Sequence, residues 1–251
     1  MKKFLIIIPF YNVEKYLRNS IESILQQTHS NLDLVLIDDC STDNSLDIAE
    51  SYKDLDNVTI LQNKKNIGTY QSVNKALDFF KDKEWDYWHF HGSDDMSDLT
   101  RLEKILEIFH SNPSIVALKC TCIKTEFGTN NFIIDPKTGQ PSIATTEGIA
   151  VYDRKIQKYL GYYDNTRFSG DTDMWWRLET FCNVYKPEWK IGESKEVLYL
   201  NFDQENDGNI TKKYDWHTTR PNYWAKIRNE IQTQMIPNKT FIEILKFKNN
   251  D

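Results

Sequence analysis

The chain has 251 residues, 39% hydrophobic, 27% charged and 13% aromatic, which is enough apolar material for a sizeable core and too much for a disordered chain. Thirty-one Lys and Arg stand against 37 Asp and Glu, a formal net charge of −6, which repels a phosphate backbone and excludes nucleic acid as the main partner. No run approaches the roughly eighteen apolar residues that span a bilayer, so a transmembrane helix is excluded.

Phe4 to Ile8 reads as a buried strand, because the run is too short for a signal peptide, Pro9 ends it and no small-residue cleavage site follows. Leu17, Ile21, Ile24 and Leu25 then recur on one stripe of an amphipathic helix. Leu34 to Ile37 is a second strand, followed by a polar loop from Asp38 to Asp43 suited to capping a helix with Leu46, Ala49 and Tyr52. Val58 to Leu61 is a third strand. Val73, Ala76, Leu77 and Phe80 mark a third helix and Tyr87 to Phe90 a fourth strand. Leu102, Ile105, Leu106 and Phe109 give a helix stopped by Pro113, before a strand over Ile115 to Cys120.

The second half is less regular. It holds a turn-rich stretch from Gly128 to Gly148, a short helix near Arg154 to Leu160 closed by Gly161, and a helix from about Thr172 to Phe181. Trp224, Ile227 and Ile231 predict a helix in the polar tail. The pattern is α/β, a mostly parallel wound sheet flanked by helices, in one domain over 1–215 with a helical tail over 216–251. The regular part of the pattern covers residues 1–110 and the less regular part 111–215. Cysteines at 40, 120, 122 and 182 form neither a secreted disulfide framework nor a Cys-x-x-Cys pair, which points to reduced thiols and the cytoplasm. Association with a membrane surface stays open.

Ligands of a wound sheet bind beyond the carboxyl ends of its strands. Three such ends carry acids or amides: Pro9-Phe10-Tyr11-Asn12 with Glu14, Asp38-Asp39, and Asp94-Asp95. So many acids at one edge repel unless a cation or hydrogen-bond donors are held there. Neighbouring aspartates in a loop are the usual ligands of Mg2+ or Mn2+, with substrate phosphates completing the shell. The bland alternative for Asp94-Asp95 is a turn ahead of a helix. The nine glycines form neither a P-loop nor a dinucleotide fingerprint, so a metal must hold any diphosphate. No G-x-S-x-G or H-E-x-x-H occurs. His89 and His91 share a strand face and could ligate a transition metal with Asp94, or pack and hydrogen-bond.

The stretch IIIPFYNVEKYLRNSIESILQQTHSNLDLVLIDDCSTDNS resembles the opening of family 2 glycosyltransferases of the GT-A fold. Further on, GSDDMSDLTRLEKIL resembles their metal-binding segment and GYYDNTRFSGDTDMWWRLE the segment that supplies the base. The similarity covers about residues 3 to 211. It implies a single Rossmann-like GT-A domain, with residues 1–110 as its nucleotide-binding half and 111–215 as its acceptor half, that moves a sugar from a nucleotide-diphosphate donor, a UDP-sugar in the first instance, to a hydroxyl of a glycan or glycoconjugate. Pro9, Tyr11, Asn12 and Glu14 would line the nucleotide end, with Asp39 reaching the base or ribose. Asn66, Gly68 and Ser93 would border the same pocket. Asp94, with Asp95 after it, would hold the divalent cation. Asp171 matches the base of inverting members, and Asp173, Trp175 and Trp176 would face the acceptor, with adjacent tryptophans pointing about 100° apart on a helix, so that at most one faces the site.

Two departures stand out. Gly92 replaces the first acid of the metal motif, and the loop at 206–211 lacks the Arg and His usual there. Asp171 could also be a helix N-cap, and either tryptophan a core residue. A catalytically inactive nucleotide-sugar or glycan-binding module is the alternative function. A nucleotidyltransferase would need a Gly-rich, Lys- or Arg-bearing loop where PFYNVE stands. The sugar, the acceptor and the oligomeric state are left open by the sequence.

Overall fold

The computed structural model describes residues 1–126, 131–165 and 169–203. Its centre is β1 (Phe4–Phe10), buried throughout, with β2 (Leu32–Asp38) on one side and β4 (Tyr87–Phe90) on the other, and β3 (Val58–Gln62) beyond β2. All three pairings are parallel. A parallel strand inside the sheet is covered on both faces, which is why these strands read as unbroken apolar runs. Along β1, Phe4, Ile6 and Ile8 join Leu17, Ile21, Leu102 and Ile105 in one core cluster. Leu5 and Ile7 join Val73, Leu77, Trp175 and Leu178 in the other.

The covering helices lie where the 3.6-residue spacing puts them: α1 (Leu17–Leu25), α2 (Ser45–Glu50), α3 (Thr69–Phe79) and α4 (Arg101–Ser111). Pro9 sits inside β1 without harm. The β1–β4 ladder ends at Ile7–Phe90, so its missing N–H falls where β1 has only one neighbour.

Beyond β4 the sheet turns mixed. A two-residue β5 (Met96–Ser97) precedes α4, and β6 (Ile115–Glu126) outlasts the expected strand by six residues. β7 (Ile143–Asp153) occupies the end of the stretch expected to be turn-rich, and β8 (Lys190–Asp203) has no counterpart among the expected elements. The order is β3-β2-β1-β4-β7-β6-β8-β5. β7 runs antiparallel to β4 and β6, β5 antiparallel to β8, and β6 parallel to β8. Irregular register along β6 and β8 and exposed charged residues at Glu193, Lys195 and Glu196 hide the period-2 signal of both strands.

A 3-10 turn (Arg154–Ile156) leads into α5 (Gln157–Leu160), which stops at Gly161 with φ 67°, a left-handed position suited to glycine. Then α6 (Gly170–Tyr185) spans 16 residues. No helix among the described residues is long and apolar enough to cross a membrane, and all four cysteines are unpaired. The expected tail helix, the domain limit at 215 and the loop at 206–211 lie outside the described residues.

Candidate active site

Because β1 to β4 are mutually parallel, the loops that follow them crowd one edge of the sheet. At the first, Tyr11 is 44% exposed. Asn12 and Glu14 are turned sideways instead. Asn12 Oδ1 accepts the Thr42 amide at 2.7 Å and Glu14 Oε2 the Asn44 amide at 2.9 Å, while Ser41 and Asp43 accept amides of residues 12 and 14 in return. These reciprocal bonds brace the loop after β1 against the loop after β2. Pro9 is buried in β1.

Asp39 follows β2 and is 3% exposed. Its Oδ1 accepts from Asn63 Nδ2 at 3.0 Å and from the Ile67 amide at 2.8 Å, and Oδ2 accepts the Gly68 amide at 2.7 Å. Three of its roughly four acceptor positions are therefore filled by the loop after β3. That loop, including half-buried Asn66, is wound around a carboxylate. Gly68 opens α3 with φ 90°, a value that favours glycine.

The loop after β4 is anchored from both sides. His91 Nδ1 meets the Gly92 carbonyl at 2.8 Å and Nε2 meets Ser97 Oγ at 3.0 Å. Burial, with Arg101 nearby, lowers its pKa to about 3, so the ring stays neutral and acts as a staple. His89 Nδ1 bonds the Ala150 carbonyl. Among the described residues no three His, Cys, Asp or Glu gather around a common metal position.

Asp95 is 6% exposed and faces inward. Its carboxylate accepts from Tyr199 Oη at 2.9 Å, Asn201 Nδ2 at 3.0 Å and the Phe202 amide at 3.1 Å, all on β8. Asp95 thus fastens the loop to β8. Burial, reinforced by the charge of Asp94, pushes its pKa well up. Asp94 and Ser93 are half-buried. Just downstream, Asp98 Oδ1 accepts the amide of Thr100, the residue that precedes α4, at 2.8 Å.

Asp171 lies in the first turn of α6, two residues after the N-cap Ser169, so it is not the cap. Tyr70, in the first turn of α3, donates its hydroxyl to Asp171 Oδ1 at 2.9 Å. Burial raises the Asp171 pKa, with a further push from Glu147, while the Tyr70 hydroxyl and the Thr172 amide pull the other way. A Cβ placed on Gly148 would stand 3.2 Å from Asp171 Oδ2. Gly148 belongs to the part of β7 that runs on past the carboxyl end of β4, since β7 is antiparallel and His89 pairs with Val151. Asp171 therefore borders the same edge as the three acidic loops.

The other residues expected on α6 separate by face. Asp173 is 1% exposed and pairs with Arg177 at 3.0 Å; Arg177 also donates to the carbonyls of Leu160 and Tyr162. Trp175 is 1% exposed and its Nε1 donates to Glu179 at 2.7 Å. Both are core residues and present nothing to an acceptor. Trp176, one position on, is half-buried.

The sequence profile of Glycosyl transferase family 2 matches residues 5–181, more than half of the chain. The chain belongs to that family. EpsE of Bacillus subtilis, a protein named as a glycosyltransferase, is 32% identical over 212 residues, which is 78% of this chain and 75% of EpsE. Among solved structures, Staphylococcus aureus TarS 1-349 with UDP-GlcNAc superposes with a TM-score of 0.69 at 21% identity, covering 92% of this chain and 65% of that one. The mannosyltransferase PcManGT of Pyrobaculum calidifontis, with GDP-Man and Mn2+, gives 0.58 at 12% identity, covering 91% and 61%. The chain spans less than two thirds of either structure, and both show the shared GT-A fold.

Three residues of this glycosyltransferase escape a reading of its sequence. Tyr70 stands ahead of the apolar stripe of its helix, Tyr199 lies on a strand with no expected counterpart, and Gly148 reads as a turn residue. Gly92, the departure from the metal motif, has a steric cause: a Cβ there would run into Asp95 Oδ2 and stand 3.0 Å from its Cγ. Gly92→Ala is expected to lower stability by about 1–3 kcal/mol, because Asp95 can move aside only by giving up bonds to β8. Urea unfolding checks this, and a loss under about 0.5 kcal/mol would mean that Asp95 is not held as described.

Proposed function

We propose that the enzyme transfers a sugar from a nucleoside-diphosphate donor, UDP-linked in the first instance, to a hydroxyl of a glycan or other acceptor, with inversion at the anomeric carbon. The observation that supports it most is the Tyr70–Asp171 hydrogen bond. It ties an acid to the first turn of α3, the helix whose opening glycine is gripped by Asp39 at the nucleotide end.

A sugar hydroxyl is a poor nucleophile at neutral pH, so a base must receive its proton as the new bond forms. Asp171 suits that role, since burial and Glu147 raise its pKa toward the range in which a base is most effective, while Tyr70 keeps it ionisable. One displacement suffices, because activating the acceptor leaves no need for a protein nucleophile. Tyr11 offers its exposed face to the nucleobase, and Asn66, Gly68 and Ser93 border the pocket. Asp39, Asn12 and Glu14 act by setting the loops that form it. Trp176 is the tryptophan left for the acceptor side, where an aromatic face suits the C–H groups of a sugar.

The residues fit a divalent cation completed by the substrate. Asp94 is the less buried carboxylate beside Asp95, whose hydrogen bonds come from Tyr199, Asn201 and the Phe202 amide, all neutral donors. One carboxylate plus donor phosphates suits Mg2+ or Mn2+. Bound there, the ion would offset charge on the departing diphosphate. The four unpaired thiols support a cytoplasmic location.

Release of nucleoside diphosphate from UDP-sugars with acceptor tests the activity, and binding without release would favour the inactive module. Thermal shifts test the cation. UDP with Mn2+ is expected to raise the melting temperature by more than the sum of either alone, since phosphates complete the shell. Strictly additive shifts would remove the metal from the reading.

A further inference from the structure

Tyr70, in the first turn of α3, is packed on several sides. Its ring lies on the bare Cα of Gly170, where a Cβ would meet ring carbons at 2.8 to 3.0 Å. It tilts against Tyr163 with centroids 5.1 Å apart and meets Phe90, the last residue of β4, edge-on at 6.5 Å. The segment carrying Tyr163 is itself pinned to α3: Asn74 Nδ2 donates to the Tyr163 carbonyl and Asn74 Oδ1 accepts the Tyr163 amide, both at 2.9 Å. A ring fixed from three directions leaves its hydroxyl one place to go, and that place is Asp171 Oδ1.

The two oxygens of Asp171 are thereby made unequal. Oδ1 accepts from Tyr70, whereas Oδ2 faces the Cα of Gly148, where no side chain intervenes. We infer that Tyr70 is a positioning residue for transfer, its hydroxyl holding Oδ1 so that Oδ2 is the oxygen that takes the acceptor's proton. The inference rests on Asp171 as base and goes beyond it. The acceptor O–H proton passes to Oδ2 as the acceptor oxygen bonds to the anomeric carbon. The electron pair of the old anomeric C–O bond leaves with the nucleoside diphosphate. Tyr70 keeps its proton throughout, because burial and then the charge of Asp171 hold its hydroxyl well above the ordinary phenol range.

The backbone amides of Thr172 and of Asp171 itself also donate to this carboxylate. From β7 come Glu147, paired with Lys119 at 3.7 Å and accepting from Thr172 Oγ1 at 3.2 Å, and the buried phenol of Tyr152; from the segment before α6 comes Tyr163. Glu147, Tyr152 and Tyr163 each interact electrostatically with Asp171, but Tyr70 is the tyrosine whose hydroxyl donates to it.

Tyr70→Phe keeps the ring and its packing and removes the donor. A hydrogen bond to the ionised carboxylate favours that form, so its loss raises the pKa of Asp171. The acid limb of the kcat–pH profile is expected to move up by roughly one to two units, with donor KM near its original value and a melting temperature that falls at neutral pH but less at acid pH, where the carboxyl is protonated. The 13C titration of the Asp171 carboxyl, followed without turnover, is expected to move with it. A limb and a carboxyl titration that both stay put overturn the inference. Gly148→Ala crowds Oδ2 without touching the Tyr70 bond donor and is expected to lower kcat about tenfold through misplacement; unchanged kcat would remove Oδ2 as the acting oxygen. The two assignments fail separately. An active Asp171→Asn variant rejects the base, whereas an inactive one combined with an unmoved Tyr70→Phe titration rejects only the part given to Tyr70.

Discussion

Asp171→Asn is expected to lower kcat for transfer roughly 100- to 10,000-fold, the usual contribution of a positioned general base, while donor KM changes little. The amide keeps the shape of the carboxyl and can still accept from Tyr70, so the loss isolates proton transfer. Stability should move the opposite way. In the folded state the Asp171 pKa lies above its ordinary value, so between the unfolded and folded pKa values the native protein binds more protons and stability falls as pH rises. At neutral pH the ionised group therefore opposes folding, and Asn removes that opposition. An inactive variant that melts no lower than the parent is the expected combination. A variant that turns over normally would reject the base, and an inactive one that melts much lower would assign Asp171 a structural part.

Asp173→Ala, two residues along the same helix, is expected to do the reverse. The Asp173 and Arg177 side chains are 0% and 5% exposed, and removing one partner of a buried pair strands the other charge, at a cost of about 3–5 kcal/mol. Arg177 keeps the carbonyls of Leu160 and Tyr162 as acceptors, which favours the lower end of that range. Chemical denaturation gives the value, and any molecules still folded should transfer sugar at nearly the parental kcat. Adding Arg177→Met should recover part of the loss, since no charge is then stranded, but only part, because both carbonyls lose their donor. A loss under about 1 kcal/mol in Asp173→Ala would mean that the pair is wet rather than buried.

The contrast between these neighbours explains how far the site was legible. In the family's motif Asp171 and Asp173 stand as two acids of one short segment, and nothing in their spacing says which is outside. The sheet decides: α6 lies on the side formed by Leu5, Ile7 and Val35, so Asp173 and Trp175 turn inward, whereas Asp171 meets Tyr70 and the bare Cα of Gly148. Asp94 and Asp95 behave alike in this respect. Consecutive residues look equivalent as ligands until β8 brings Tyr199, Asn201 and the Phe202 amide against one of them. That strand begins about 95 residues later in the chain, a separation over which local pattern carries no information.

By itself the sequence determined the parallel half, its four strands, their helices and the acidic loops at one edge. These depend on local periodicity and on the rule that parallel strands end where ligands bind. Only the tertiary structure decided which acids are buried, that Asp39, Asn12 and Glu14 hold loops together, and that Gly92 makes room for Asp95. Each of those outcomes is a competition for hydrogen bonds and space between segments distant in the chain, and such a competition is settled only when the sheet closes.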